Sequence, residues 1–263
     1  MIRRLAGSTL EDQGDWLVVR TAANPTYWWG NFLLFGCSPV ASDVDRWTRL
    51  FETEFPGTAH RAYGVDSTDG ASPSSEALTG LDVTADVSTV LTATTLNHPP
   101  PVQTEVRRLD GDQDWEQALQ LRMAVHDTYV SEAQRLFARR HLDESRAVVE
   151  SGHGAWFGAF VDGRMASGLG IVSDGTGLAR YQSVETHPDH RREGLARRLI
   201  YEAGRYAVEH LGARALVILA DPTYHAIHLY RSLGFRDREK QVQLQRAHPD
   251  PVAPPEKVPH AIS

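Results

Sequence analysis

Residues 184–198 read Val-Glu-Thr-His-Pro-Asp-His-Arg-Arg-Glu-Gly-Leu-Ala-Arg-Arg and contain the most informative pattern in the chain. A strand ends at His187-Pro188, a basic loop follows, and Gly194 opens a helix. The first turn of a helix offers unpaired N–H groups and a positive dipole end, and four arginines surround this one, which suits a pyrophosphate. Taken alone, a plain turn with a solvated arginine face is the more common arrangement. Neither the phosphate-loop nor the dinucleotide spacing occurs here.

The residues around this stretch alternate between strand and helix patterns. Asp162-Gly163 predicts a two-residue hairpin turn, and Ser131 with Gln134 predicts a capped helix start. From residue 103 onward the pattern predicts strand 103–108, helix 115–126, a helix from 131, strands 155–161, 165–172 and 178–186, helix 194–211, strand 215–219, helix 223–233 and strand 242–245. This order indicates an α/β (mixed α+β) fold in which helices flank a mixed sheet.

Successive prolines in Asn97-His-Pro-Pro-Pro101 indicate a division of the chain. We therefore predict a Pro-rich linker over 98–102, between an N-terminal α/β accessory domain, 1–97, and a second domain, 103–246. The first domain has strand patterns over 16–20, 27–35 and 87–94, a helix pattern over 44–55 and a Ser/Gly/Pro-rich loop over 66–77. The proline-rich end, 247–263, predicts a disordered tail.

The composition is that of a globular protein. Of the 263 residues, 41% are hydrophobic and 23% are charged, so the chain can bury a core. A single cysteine, Cys37, excludes a disulfide framework and a multi-cysteine metal site. A formal net charge of −7 disfavours binding to nucleic acid. No apolar run is long enough for a signal peptide or a membrane span, so we expect a cytoplasmic protein.

Two motifs in this order resemble the GNAT-type N-acetyltransferase superfamily. The first, Arg191-Arg192-Glu193-Gly194-Leu195-Ala196, is similar to the family's Arg/Gln-x-x-Gly-x-Gly/Ala loop. The second, Ala226-Ile-His-Leu-Tyr-Arg-Ser-Leu-Gly-Phe235, is similar to its Ala-x-x-Leu-Tyr-x-x-x-Gly-Phe helix end. The resemblance covers residues 103–246 and implies a GNAT-like acyltransferase fold with a splayed central sheet.

The resemblance implies transfer of an acetyl group from acetyl-CoA to a primary amine of a small molecule or peptide, by direct attack. Backbone N–H groups of 191–196 would hold the CoA pyrophosphate. The strand over 184–186 would splay from its neighbour, pair with the pantetheine arm and polarise the thioester carbonyl. The residues expected to contact acetyl-CoA are Val184, Glu185, Thr186, Arg191, Arg192, Glu193, Gly194, Leu195, Ala196, Arg197, Thr223 and Tyr230.

The same resemblance assigns two catalytic residues. Tyr230 would protonate the leaving thiolate, although its spacing also fits plain core packing. Glu185 is the first candidate for the base, with a pKa raised in a partly dry cleft, and a solvent-facing position is an equal alternative. Alternation places Tyr181 and Ser183 on its face. Thr223 stands where many relatives carry Asn, and it can still cap the helix and donate one bond.

The first domain could be a degenerate copy of the same fold, because tandem arrangements occur in this superfamily. It lacks the glycine loop, so we expect no CoA site in it. Trp28 and Trp29 are expected in its core rather than in an acceptor pocket. No metal is expected, since His225 and His228 have no third ligand nearby. The alternative to an enzyme is a non-catalytic acyl-CoA-binding regulatory module. The sequence is also compatible with a homodimer.

Overall fold

One mixed sheet of eleven strands runs through the part of the chain that the computed structural model describes, residues 2–68, 70–126 and 131–246. The strands are β1 (Thr9–Asp12), β2 (Trp16–Arg20), β3 (Phe32–Phe35), β4 (Ala62–Val65), β5 (Thr84–Ala93), β6 (Glu105–Arg108), β7 (Gly154–Val161), β8 (Arg164–Ser173), β9 (Leu178–Thr186), β10 (Ala215–Ala220) and β11 (Arg236–Gln245). The α-helices are α1 (Ile2–Leu5), α2 (Val44–Glu54), α3 (Ser75–Leu81), α4 (Gly111–Val125), α5 (Glu132–Glu150), α6 (Leu195–His210) and α7 (Ala226–Ser232). The predicted tail, 247–263, lies outside the described residues.

The second half of the chain follows the predicted order of elements, from β6 to β11. Asp162 and Gly163 take left-handed φ values of 48° and 76° and form the tight turn between β7 and β8. At the start of α5, the Ser131 hydroxyl accepts from Gln134 N at 3.2 Å, and Gln134 Oε1 accepts from Ser131 N at 2.9 Å. The predicted mixed α/β fold class is confirmed.

The first half departs from its predicted elements: α1, β1 and β4 were not predicted, and two predicted segments differ. The predicted strand over 27–35 begins instead with a 3₁₀ turn at Trp28–Gly30, and only Phe32–Phe35 is extended. The Asn31 side chain holds this turn by donating to the carbonyls of Asn24 and Tyr27, both at 2.9 Å. The predicted loop over 66–77 ends early, because Ser74 caps α3 by accepting from Ala77 N at 3.1 Å.

The two halves of the chain exchange their last strands. β5 of the first half lies between β10 and β11, whereas β11 of the second half lies between β5 and β4. Leu91 and Ala93 of β5 therefore pack in the core of the second half. Val242 and Leu244 of β11 pack in the core of the first half.

The two halves have the same local order of strands around the exchanged pair. The sheet order β3-β4-β11-β5 matches β9-β10-β5-β11, and β3 is parallel to β4 as β9 is parallel to β10. A helix follows β3 and β9 in each half, α2 in the first and α6 in the second. The first half is thus built like a copy of the second. The boundary at 98–102 stays a prediction, because the sheet is continuous across the two halves.

Candidate active site

The gap between β9 and β10 is the central feature of the site. These two parallel strands pair only where Leu178–Arg180 faces Ala215–Val217. Beyond that point β9 continues to Thr186 and β10 to Ala220 without pairing, so the strands splay as the fold prediction required. Backbone groups of β9 that face the gap are left without a strand partner, and buried backbone groups demand one.

A β-bulge interrupts β9 inside the splayed segment. Glu185 lies opposite Gly168 and Gln182 opposite Gly170, so two residues of β9 face one residue of β8. Ser183 has a left-handed φ of 46° there. A bulge adds one residue to a strand and reverses which face the later side chains take. The expectation that Tyr181, Ser183 and Glu185 share a face is therefore wrong for Glu185.

The side chains on either side of the bulge confirm this reversal. The Tyr181 hydroxyl donates to Ile200 O of α6 at 2.7 Å. Glu185 instead reaches α4, where its Oε1 lies 3.0 Å from Arg122 Nε and 3.4 Å from His126 Nε2. Helices α6 and α4 cover different faces of the sheet at this strand.

Glu185 is buried and paired, with 4% of its surface exposed. Burial raises the pKa of this carboxyl, but Arg122 and His126 together outweigh burial and hold the pKa below its ordinary value of 4.5. The expected rise of the Glu185 pKa is thus wrong, since sequence reasoning missed Arg122 and His126 as its neighbours. One sequence signal could have found the first of them: Arg122 lies between the apolar residues Leu121 and Val125 of α4, and a charge buried there needs a partner. A catalytic role of Glu185 stays a prediction.

The loop before α6 forms the anion-binding end of the site. Gly194 precedes the helix with a left-handed φ of 82°, and Arg192 has a φ of 66°. The first helical bond runs from Arg198 N to Gly194 O at 3.1 Å, so the preceding N–H groups have no acceptor within the helix. A cavity of about 260 Å³ lies against this turn.

Most of the predicted acetyl-CoA contacts face one of two cavities. The smaller cavity is lined by Thr186, Arg192, Gly194, Leu195, Ala196 and Arg197 from the predicted set, together with His190, His225, Ala226 and Leu229. Val184 lines the larger cavity described below. Neither cavity is lined by Glu185, Arg191, Glu193, Thr223 or Tyr230.

Glu193, Arg191 and Thr223 are predicted contacts that line neither cavity, and each has a different environment. Glu193 Oε2 lies 3.3 Å from His190 Nδ1. Arg191 Nε is buried without an acceptor among the described residues. The Thr223 hydroxyl donates to Asp221 at 2.6 Å, and the residue before α7 is His225. The predictions that Thr223 caps this helix and that the helix begins at 223 are both wrong, because the Asp221 carboxylate captures the Thr223 hydroxyl in a turn.

Tyr230 is fully buried on α7, beneath the splayed strands. Its hydroxyl has no hydrogen-bond partner among the described residues. Burial raises the pKa of Tyr230, and the neighbouring Tyr224 adds to the rise, so the phenol keeps its proton at neutral pH. An unpartnered buried hydroxyl costs about 1–3 kcal/mol, which a bound group with an acceptor atom would recover.

A larger cavity, of about 450 Å³, lies between the two halves. Ser183 and Val184 of the bulge line it from the second half, and Tyr27, Trp29 and Phe32 line it from the first. Trp28 and Trp29 are both 7% exposed, which fits the expected core positions, although Trp29 also walls this cavity. The first half therefore contributes directly to the site.

The described residues contain no group of His, Cys, Asp or Glu side chains arranged to hold a metal ion. Within the same residues, no helix has the length and apolar character needed to cross a membrane.

Comparison with known proteins identifies the fold. Residues 115–235 match the model of the acetyltransferase (GNAT) family. A GCN5-related N-acetyltransferase from Kribbella flavida is similar with a TM-score of 0.64 and 17% identity, over 95% of this chain and 96% of that one. A tandem GNAT protein from the clavulanic acid biosynthesis pathway gives 0.55 and 13%, over 93% and 86%.

A functionally unknown conserved protein from Staphylococcus epidermidis ATCC 12228 gives a TM-score of 0.69 at 9% identity, over 89% of this chain and 92% of that one. A comparison with curated proteins found no match. At such identities the similar structures establish the fold alone. The chain therefore has the fold of these structures, and residues 115–235 within it match the acetyltransferase (GNAT) family.

Proposed function

We propose that this protein transfers an acetyl group from acetyl-CoA to a primary amine of a small molecule or peptide, by direct attack of the amine. One observation carries the proposal: the splayed segment of β9 lines two cavities. The cavity at the α6 N-terminus reaches Thr186, and the cavity between the halves reaches Ser183 and Val184. Two substrates can therefore meet along the same unpaired segment of β9.

The residues at the smaller cavity fit the CoA pyrophosphate. Leu195, Ala196 and Arg197 have N–H groups without helical acceptors, and the helix dipole adds positive potential at the same place. Arg192 and Arg197 line the cavity and supply charge for bidentate contacts to phosphate oxygens. The unpaired backbone of β9 offers N–H and C=O groups to the amides of the pantetheine arm.

Acetyl-CoA supplies the acetyl group as a thioester. The backbone N–H groups of the bulge can stabilise negative charge that develops on the carbonyl oxygen. The Tyr230 hydroxyl, protonated and unpartnered, can donate to the leaving sulfur.

The charged state of Glu185 favours a positioning role over that of a base. Its ion pair with Arg122 ties the bulged strand to α4. A base role would require the carboxylate to take a proton while Arg122 and His126 hold its pKa down. The same observation favours the second candidate, a non-catalytic acyl-CoA-binding module. We place either activity in the cytoplasm, where an exposed free thiol such as Cys37 remains reduced.

The experiment is release of CoA thiol from acetyl-CoA by the full chain, measured over a panel of amines and peptides. Tyr230→Phe removes only the hydroxyl, and we expect kcat to fall by about 100-fold or more, since general acid catalysis contributes about 10²–10⁴. Tyr206→Phe is the matched control. Its hydroxyl accepts from Arg108 of β6 at 3.3 Å, and Tyr206 lines neither cavity, so the kcat of this variant should equal that of the wild type.

Two outcomes contradict parts of this account. Tight acetyl-CoA binding with no turnover on any acceptor would support the binding module instead of the enzyme. Equal kcat values for Tyr230→Phe and Tyr206→Phe would remove the acid role from Tyr230.

A further inference from the structure

The cavity between the halves is lined by one carboxylate to which the proposed function assigns no role. Asp86 of β5 lines this cavity, and the described residues provide no hydrogen bond or ion pair to its side chain. Thr89 of the same strand pairs with Ala220 at the end of β10. Asp86, three residues further along, therefore lies roughly 10 Å past the end of β10, at the edge where β9 and β10 splay.

The other charged groups that line the cavity are already engaged. Arg3 lies 3.9 Å from Glu144 and places its guanidinium 4.8 Å from the centre of the Tyr27 ring. Asp221 accepts from both the backbone N and the hydroxyl of Thr223, at 2.7 and 2.6 Å. Arg180 also has a contact of its own. Among the described charged residues that line the cavity, Asp86 is the one whose side chain has no hydrogen-bond or ion-pair partner.

Aromatic side chains line the side of the cavity that the first half provides. Trp29 is fixed by its indole N–H, which donates to Gln245 at 3.1 Å, and it packs edge-on against Phe32 at 5.4 Å. The faces of aromatic rings attract cations, as Arg3 over Tyr27 shows within this same wall. A carboxylate beside such rings is a combination suited to an ammonium or guanidinium group.

The cationic group that binds Asp86 is not the amine that reacts, for a chemical reason. In the reaction the amine nitrogen forms a C–N bond to the acetyl carbon, the C–S bond breaks, and the nitrogen loses a proton. The attacking nitrogen must therefore be neutral, with a free electron pair, when it reacts. A group that Asp86 keeps positively charged is a different group of the acceptor.

We propose that the cavity between the halves binds an amine acceptor that carries a second cationic group, and that Asp86 binds that second group. This inference rests on the proposed acetyl transfer for its reacting end. It assigns the first half of the chain a role in choosing the substrate. The volume of about 450 Å³ lies within the range of small-molecule sites, about 300–1,000 Å³.

The test compares α,ω-diaminoalkanes of three to six carbons with 1-aminoalkanes of the same length, using the full chain. Binding is measured by calorimetry in the presence of CoA, and acetylation by steady-state kinetics. We expect the best diamine to bind at least about tenfold more tightly than its monoamine, the effect of a charge-assisted hydrogen bond. In Asp86→Asn, Kd and KM for the diamine should rise by about the same factor, with kcat and the monoamine values unchanged.

Asp45→Asn is the matched control, because it removes the same charge from the exposed face of α2, outside the cavity. It should leave every value unchanged. Equal binding of diamine and monoamine by the wild type would overturn the proposal. So would unchanged diamine binding in Asp86→Asn, or a loss of kcat on both amines, which would make Asp86 part of the proton transfer. Calorimetry measures amine binding without turnover. A failure of acetyl transfer can therefore be distinguished from a failure of diamine binding.

Discussion

At the scale of single residues, the Glu185–Arg122 pair shows how the splayed strand is held in place. Both side chains are almost completely buried, and Arg122 Nε lies 3.0 Å from Glu185 Oε1. Buried charges are expensive unless they are paired, so each residue depends on the other. The pair lies directly after the bulge at Ser183, and it fixes the strand whose backbone faces the gap.

Glu185→Gln should lower the free energy of unfolding by about 3–5 kcal/mol at neutral pH, because it removes the buried negative charge that pairs with Arg122. The folded-state pKa of Glu185 lies below its ordinary value, so the stabilisation is present above pH 4.5 and is lost as pH falls through the folded pKa. Urea unfolding of both proteins from neutral to acidic pH should therefore show the difference shrink with acidification.

Glu116→Gln is the control for this change. Glu116 pairs with Arg139 at 2.8 Å on the surface, where about half of each side chain is exposed. Loss of such a pair should cost less than about 1 kcal/mol. Similar losses for Glu185→Gln and Glu116→Gln would contradict the structural role given to the buried pair.

The bulge also marks the limit of prediction at this scale. Strict alternation placed Glu185 beside Tyr181, and the left-handed residue that breaks the alternation is Ser183, not a glycine. A serine in a strand gives no sequence signal for positive φ. Asp86 likewise carries no sequence signal of a binding role, because the exchange of β5 between the halves is what brings it to the cavity.

At the scale of elements, the strand–loop–helix unit from β9 to α6 was predictable in detail. Gly194 was expected to open the helix, and it does so with a φ of 82°. Such a φ strongly favours glycine, because a Cβ in this region meets the neighbouring backbone. The turn points the free N–H groups of α6 at the smaller cavity. Helix α7 was located correctly as an element, but its start moved because Asp221 binds Thr223.

Gly194→Ala should weaken acetyl-CoA binding by about tenfold or more, because the added Cβ disfavours the left-handed turn that aims the N–H groups. The Cβ would also lie 3.3 Å from Val102. Gly163→Ala is the matched control, with a φ of 76° at a hairpin turn and no atom near the new Cβ. Both variants should lose about 1 kcal/mol in the free energy of unfolding. Calorimetry with acetyl-CoA should show weaker binding in Gly194→Ala and unchanged binding in Gly163→Ala. Equal affinities in the two variants would contradict the position of the pyrophosphate site.

At the scale of the whole molecule, the exchanged strands make the halves interdependent. β5 joins the sheet of the second half through β10, and β11 joins that of the first through β4. Hydrophobic residues of each exchanged strand are buried in the other half's core. The proline-rich stretch at 98–102 suggested two separable domains. Sequence patterns report local periodicity, whereas strand exchange depends on pairing between distant segments, so no local signal revealed it.

The second half should therefore not fold alone. A fragment of residues 103–246 lacks β5 and leaves β10 with an open apolar edge, which favours aggregation. A fragment of residues 84–246 restores β5 and should recover β-structure by circular dichroism. The full chain should unfold in a single cooperative transition. A fragment 103–246 that melts at the same temperature as the full chain would contradict this dependence.

The central claim is that the splayed second half performs acetyl transfer to an amine bound between the halves. The measurement that tests it most directly follows CoA thiol and acetylated amine together, in one reaction with the full chain. One molecule of acetylated amine should appear for each thiol released, and thiol release should stop when the amine is left out. Thiol release that is independent of the amine, or no release with any amine despite acetyl-CoA binding, would contradict it.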